Sequence, residues 1–156
     1  MVDARGRWFV PDYVGWDPRS FERYFGTPLG ASIRRREEAA VYDFLGTTLE
    51  PGHLVLEVGC GTGNYTVPVA RRCARVVAID SSPEMLGYLG ERLDREGLHN
   101  VEVRSGRLPE SVVSLDGFDG ALVVGVLNYV RDLGDSLRSL SPRLSRLVGG
   151  PSSMCR

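Results

Sequence analysis

Three glycines at alternate positions, Gly59, Gly61 and Gly63, stand directly behind a carboxylate, Glu57, and an apolar run at Leu54, Val55, Leu56 and Val58. Glycine reaches φ > 0 and leaves room against its backbone, and amides at a helix start are unpaired. A turn of this kind suits an anion or a nucleotide-like ligand. Other reactive residue types form no pattern. His53 and His99 lie far apart and build no ligand cluster, so no metal site is expected. Cys60, Cys73 and Cys155 are odd in number and lack a C-x-x-C spacing, which reads as free thiols in a reducing, cytoplasmic setting.

The elements that must position this turn can be read on either side of it. A short apolar run ending in glycines and followed by helix-compatible residues is strand, tight turn and helix start. The helix after Gly63 is predicted to run to about Cys73, with Pro68 tolerated in its first turns. Arg75–Ile79 forms a second strand ending at Asp80. A helix opened by Ser81-Ser-Pro-Glu84 continues to Glu96 and stops at Gly97. A third strand covers Val101–Arg104, and a short helix is predicted at Glu110–Leu115. A fourth strand covers Ala121–Val126, apolar on successive positions as a strand buried on both faces should be. A last helix spans about Asp132 to Leu147. Strands alternating with helices imply a parallel sheet with helices on both faces, an α/β Rossmann-like fold.

Upstream, Arg19–Phe25 and Leu29–Leu49 read as helices. Ile33, Ala40, Val41, Phe44 and Leu45 of the second share a face, and the run Arg34–Glu38 is expected on a solvated one. Trp8, Phe9, Tyr13 and Trp16 make an aromatic arm that either docks on the core or forms a flap over a ligand. Residues 1–50 are thus an N-terminal arm with helices, 51–147 a ligand-binding half-domain, and 148–156 an irregular tail.

Composition narrows the function classes. A chain of 156 residues with 42% hydrophobic and 25% charged residues is one ordinary globular domain. The formal net charge of −1 offers nothing to nucleic acid or an anionic membrane. No apolar stretch is long enough to span a bilayer, and no signal peptide is expected from the first residues. A dinucleotide fingerprint would need a third glycine at position 64 or 66, where Asn64 and Thr66 stand. NAD(P) and FAD are therefore disfavoured.

Glu57-Val-Gly-Cys-Gly-Thr-Gly63 resembles the glycine-rich first motif of class I S-adenosylmethionine-dependent methyltransferases nearly letter for letter. Val76–Leu86 resembles that family's second motif and Phe118–Leu127 its fourth-strand motif, in the family's order. The resemblance runs from about residue 20 to about 147 and is strongest toward small-molecule enzymes of the ubiquinone and menaquinone type. It implies S-adenosylmethionine as cofactor and a small-molecule methyl acceptor. Glu57, Gly59, Cys60, Gly61, Thr62 and Gly63 would surround the amino-acid end of the cofactor, with Glu57 orienting its ammonium or simply hydrogen-bonding backbone. Asp80, 17 residues beyond Gly63, would take the ribose hydroxyls, or serve only as a helix N-cap. Ser81 and Met85 would line the adenine side, Met85 equally well being core. Tyr129 contacts the acceptor or is a buried structural tyrosine. Arg107 stands where the family's third motif carries an acid. No catalytic residue is assigned.

The family sheet has strand order 3-2-1-4-5-7-6. Strands 3-2-1-4 are readable here, and strands 5-7-6 are expected to be missing. Shifted by one base, GC-rich codons for the tail spell Pro-Pro-Gly-Gly-Arg-Ala-Val-Leu-His-Val-Pro, which resembles the family's turn and fifth strand. The expectation is a frameshifted or truncated product whose bare fourth strand promotes a homodimer or aggregation. Two rivals remain: a non-catalytic remnant of the same lineage, and another Rossmann-like nucleotide binder.

Overall fold

Apolar residues on alternating sides of three central strands divide the core into two layers. A computed structural model of the chain describes residues 17–47, 49–112, 114–130, 132–144 and 147–149. Its strands are β1 (Leu54–Val58), β2 (Arg75–Asp80), β3 (Val101–Ser105), β4 (Gly120–Val123) and β5 (Leu147–Gly149). They pair in parallel in the order β3-β2-β1-β4-β5. Val55, Val76, Ala78 and Leu122 point to one side, where they meet Val41 and Leu45 of α2 (Pro28–Thr47), Val67, Val69 and Ala70 of α3 (Thr66–Ala70), and Leu89 and Leu93 of α4 (Pro83–Glu96). Leu56, Val58, Val77, Ile79, Ala121 and Val123 point to the other side, against Val112, Leu115 and Leu140, the last from α5 (Leu133–Leu140). This is the period-2 alternation of a sheet covered on both faces. Burying each of the valine, leucine and isoleucine side chains contributes about 1.5–3 kcal/mol over leaving it exposed.

The order 3-2-1-4 agrees with the sequence expectation, but several boundaries differ. The helix after the glycine turn ends at Ala70 because the Asn100 amide donates to the Ala70 and Cys73 carbonyls and closes it there. The last helix stops at Leu140, and a single 3₁₀ turn over Ser141–Arg143 follows. Pro142 lacks the N–H that a continuing helix needs, and its ring crowds the preceding turn. β4 ends at Val123, after which Gly125 turns the chain at φ 69°.

Two expectations about the far edge are corrected. A fifth strand is not missing: Leu147–Gly149 pairs in parallel with Ala121–Val123. β4 is therefore not a bare edge, and the expected dimer or aggregation through it loses its structural basis. Ala121, Leu122 and Val123 are all buried. The aromatic arm (residues 1–16) and residues 150–156 lie outside the described residues.

On α2, Val41 and Leu45 are buried as expected, whereas Ile33 is exposed. The charged run is also not simply a solvated face. Arg34 lies over the Phe25 ring and pairs with Glu22, and Glu37 accepts the Tyr65 hydroxyl. Among the described residues, no helix is long and apolar enough to cross a membrane.

Candidate functional site

The carboxyl ends of β1, β2 and β4 converge on the turn Gly59–Asn64. Positive φ at Gly59 (76°), Gly61 (52°) and Gly63 (84°) lets the chain fold tightly here. The Gly59 and Cys60 amides both donate to the Ile79 carbonyl, at 2.7 and 3.1 Å, which ties the turn to β2. Gly59 packs against Val126, beyond β4: a Cβ on Gly59 would lie 1.8 Å from Val126 Cγ2. Gly61 is different, since a Cβ there would meet nothing within 4 Å. The turn is closed around its outer two glycines and open at the middle one.

Two carboxylates flank it. Glu57 is only 2% exposed and, by strand alternation, lies on the α3 side of the sheet. Among the described residues, its Oε2 and Thr66 Oγ1 are the buried side-chain polar atoms with no hydrogen-bond partner. Burial pushes the Glu57 carboxyl up to about 8; the Thr66 hydroxyl is near enough to offset part of this but is not in hydrogen-bonding geometry, and the Asp80 charge raises it further. The alternative of a carboxylate satisfied by backbone does not account for the unmatched oxygen. Such an atom in low dielectric is costly unless a partner, above all a cationic one, comes to it.

Asp80 accepts the Gly61 amide through Oδ2 at 2.8 Å and the Ser82 amide through Oδ1 at 2.9 Å. The helix N-cap is Ser82, whose hydroxyl accepts the Met85 amide, so the reading of Asp80 as a plain N-cap is corrected. Each Asp80 oxygen keeps a second lone pair for a hydroxyl donor.

The remaining predicted residues divide by environment. Cys60 and Thr62 turn inward and are buried. Burial, then the Glu57 and Asp80 charges, push the Cys60 thiol far up, which suits packing and not nucleophilic chemistry. Ser81 is exposed beside Asp80, and Met85 is fully buried. Arg107 is exposed, and its backbone amide is taken by Ser111 Oγ. Tyr129, in a 3₁₀ turn after β4, is 48% exposed, which corrects the expectation of a buried structural tyrosine.

Sequence reasoning missed the residues that hold the turn from outside. Glu22 of α1 (Pro18–Phe25) accepts the Thr62 hydroxyl at 2.5 Å and the Asn64 amide at 2.9 Å through Oε1. Arg92 of α4 donates to the Thr62 carbonyl at 3.2 Å and to Asn64 Oδ1 at 3.0 Å. Burial pushes the Glu22 carboxyl up, but the Thr62 and Asn64 hydrogen bonds and the Arg34 charge outweigh it and hold the group below the usual glutamate range. Only Asn64 carried a signal in the sequence, as a polar residue where a third glycine was sought.

Known proteins resemble this chain in sequence and in fold. A family model described as a methyltransferase domain matches residues 55–146. A probable cobalt-precorrin-6B C(15)-methyltransferase (decarboxylating) of Methanothermobacter thermautotrophicus is 40% identical over 79 residues, 49% of this chain and 41% of that protein. A 23S rRNA (uracil(1939)-C(5))-methyltransferase of Alkalilimnicola ehrlichii is 28% identical over 92% of this chain and 32% of that protein. The crystal structure of coclaurine N-methyltransferase bound to N-methylheliamine and SAH is similar, with a TM-score of 0.61 and 28% identity, over 71% of this chain and 34% of that one. The chain spans less than half the length of these curated relatives.

Proposed function

The chain belongs to the methyltransferase-domain family, in its class I S-adenosylmethionine-dependent branch, and we propose that it binds S-adenosylmethionine and passes the methyl group to a small-molecule acceptor. The observation that carries this reading is the pairing of an unmatched, buried Glu57 oxygen with a glycine turn left open at Gly61. A cation answers the first and a closely approaching ligand the second. The site therefore fits a molecule with an ammonium beside Glu57, a close approach at Gly61 and a ribose diol on Asp80.

In this reading Glu57 orients the ammonium, and the Gly59–Gly63 turn, with Cys60 and Thr62 shaping it from inside, faces the amino-acid end. The five-residue α3 adds little dipole of its own, and the Gly59, Cys60, Gly61 and Gly63 amides already donate within the fold, so the carboxylate is assigned to the turn without a named donor. Asp80 takes the ribose hydroxyls on its free lone pairs, and Ser81 and Met85 border the adenine side. When bound, S-adenosylmethionine supplies a methyl group already activated by its sulfonium charge. The chain then contributes alignment, which supplies much of the acceleration in such a reaction. No residue is assigned as acid, base or nucleophile. Residues 51–147 act as the cofactor half-domain, with α1, α2 and the Tyr129 turn toward the acceptor; the tail expected from 148 is corrected, because Val148 and Gly149 belong to β5. The setting is cytoplasmic.

The acceptor is the finer part of the proposal. An RNA acceptor is the competing class because several relatives bear an rRNA methyltransferase name. A net charge of −1 favours the small molecule, since phosphate backbones are held by excess cationic charge. A non-binding remnant is a second reading, supported by Asp80 oxygens that each already accept an amide. Titration of the chain with S-adenosylhomocysteine separates the two: saturable binding supports the proposal, and its absence the remnant. Transfer of a labelled methyl group to small-molecule pools or to RNA then tests the acceptor class.

A further inference from the structure

Asn64 occupies the position at which a dinucleotide fingerprint would place glycine, and its side chain has two different neighbours. On one side stands the Glu22 carboxylate, which only accepts hydrogen bonds when ionised; on the other stands the Arg92 guanidinium, which only donates. A carboxamide offers a donor to the first and an acceptor to the second from two separate atoms, Nδ2 and Oδ1. The neighbouring Thr62 is gripped in the same way, its hydroxyl by Glu22 and its carbonyl by Arg92. Between them Gly63 holds φ 84°, and its Cα packs so closely on Leu89 of α4 that a Cβ would sit 2.4 Å from Leu89 Cδ1. The backbone alone secures this part of the turn by two bonds, Gly63 amide to Cys60 carbonyl and Val67 amide to Gly63 carbonyl.

Glu22 lies outside the residues matched by the family model, on a helix with no buried residue of its own. Glu22 ties α1 to the turn, Arg34 of α2 bridges Glu22 and the Phe25 ring, and the end of α1 packs on Gly30, where a Cβ would lie 2.1 Å from the Tyr24 carbonyl oxygen. We propose that Glu22, Asn64 and Arg92 form a positioning bridge that couples docking of α1 to the conformation of the glycine turn, so that cofactor affinity and α1 order rise and fall together. The coupling half rests on the cofactor reading above. Linkage makes it reciprocal: a ligand that favours the bridged turn protects α1, and a docked α1 favours the ligand.

The test is hydrogen exchange of α1 in the full chain, with and without S-adenosylhomocysteine, for wild type, Asn64→Asp and Asn64→Asp/Glu22→Gln. Aspartate keeps Arg92 but places a second carboxylate against Glu22. The bridge then predicts loss of α1 protection and affinity weaker by roughly tenfold, the size of one lost charged hydrogen bond. Glutamine at position 22 donates to the new aspartate, so the double variant regains both protection and affinity. A residue that merely packs would not be rescued this way. Unchanged α1 exchange in Asn64→Asp, or no recovery in the double variant, overturns the bridge even where the cofactor binds normally. If wild type binds no S-adenosylhomocysteine, the cofactor reading and the coupling fall together, while loss and recovery of α1 protection would still establish the Glu22–Asn64 contact.

Discussion

Glu57 is the residue on which charge and proton are most tightly linked. Its folded-state pKa of about 8 lies above the ordinary glutamate value of 4.5, so the folded chain holds a proton that the unfolded chain has released. The resulting stability is fully present below about pH 4.5 and is lost as pH rises through about 8, with a slope of up to about 1.4 kcal/mol per pH unit. Denaturant melts between pH 5 and 8.5 should show this fall in the ligand-free wild type and a flatter profile in Glu57→Gln. An ammonium brought beside Glu57 favours the ionised form. Cofactor-product binding near pH 7 should therefore release close to one proton, read as a difference in titration heat between buffers of unequal ionisation enthalpy. A heat independent of buffer would place the cation elsewhere. Glu57 was legible because it stands two residues before the glycines, and Asp80 because it ends the next strand. Glu22 was not, because nothing local marks a glutamate 40 positions before Thr62 as its partner.

At the scale of elements, the turn makes two glycines behave differently. Gly59→Ala drives a methyl into Val126 at a φ that favours glycine, so a loss of about 2–3 kcal/mol of stability is expected, with β4 and its following turn displaced. Gly61→Ala meets no protein atom and should cost only about 1 kcal/mol from its left-handed φ. It should nevertheless weaken S-adenosylhomocysteine binding by on the order of tenfold or more, because the added methyl enters the space assigned to the ligand. Thermal melts and titrations of the two variants separate these effects; equal damage to the fold would remove Gly61 from the site. Strands and the α4 caps were readable because apolar runs, Ser82 and Gly97 are local signals. Helix ends at Ala70 and Leu140 were less so, since one is set by Asn100 from a distant turn and the other by Pro142 inside an otherwise helical pattern.

At the scale of the molecule, the sheet order β3-β2-β1-β4 was legible because three motifs occur in one sequence order, while β5 was not. A three-residue strand carries too little periodicity to be distinguished from loop, and only its pairing with Ala121–Val123 defines it. Two apolar layers hold the sheet rigid, and the ligand-facing groups gather at one end of it. A ligand bound there stabilises the whole chain by mass action: product at a hundred times its Kd adds about 2.7 kcal/mol. That should raise Tm by roughly 5–10 °C in a chain of this size. The most direct measurement is a calorimetric titration of the full chain with S-adenosylhomocysteine and, separately, with NAD. Saturable binding of the first and none of the second is expected; no binding of S-adenosylhomocysteine, or binding of NAD in its place, would rule out the proposed cofactor site.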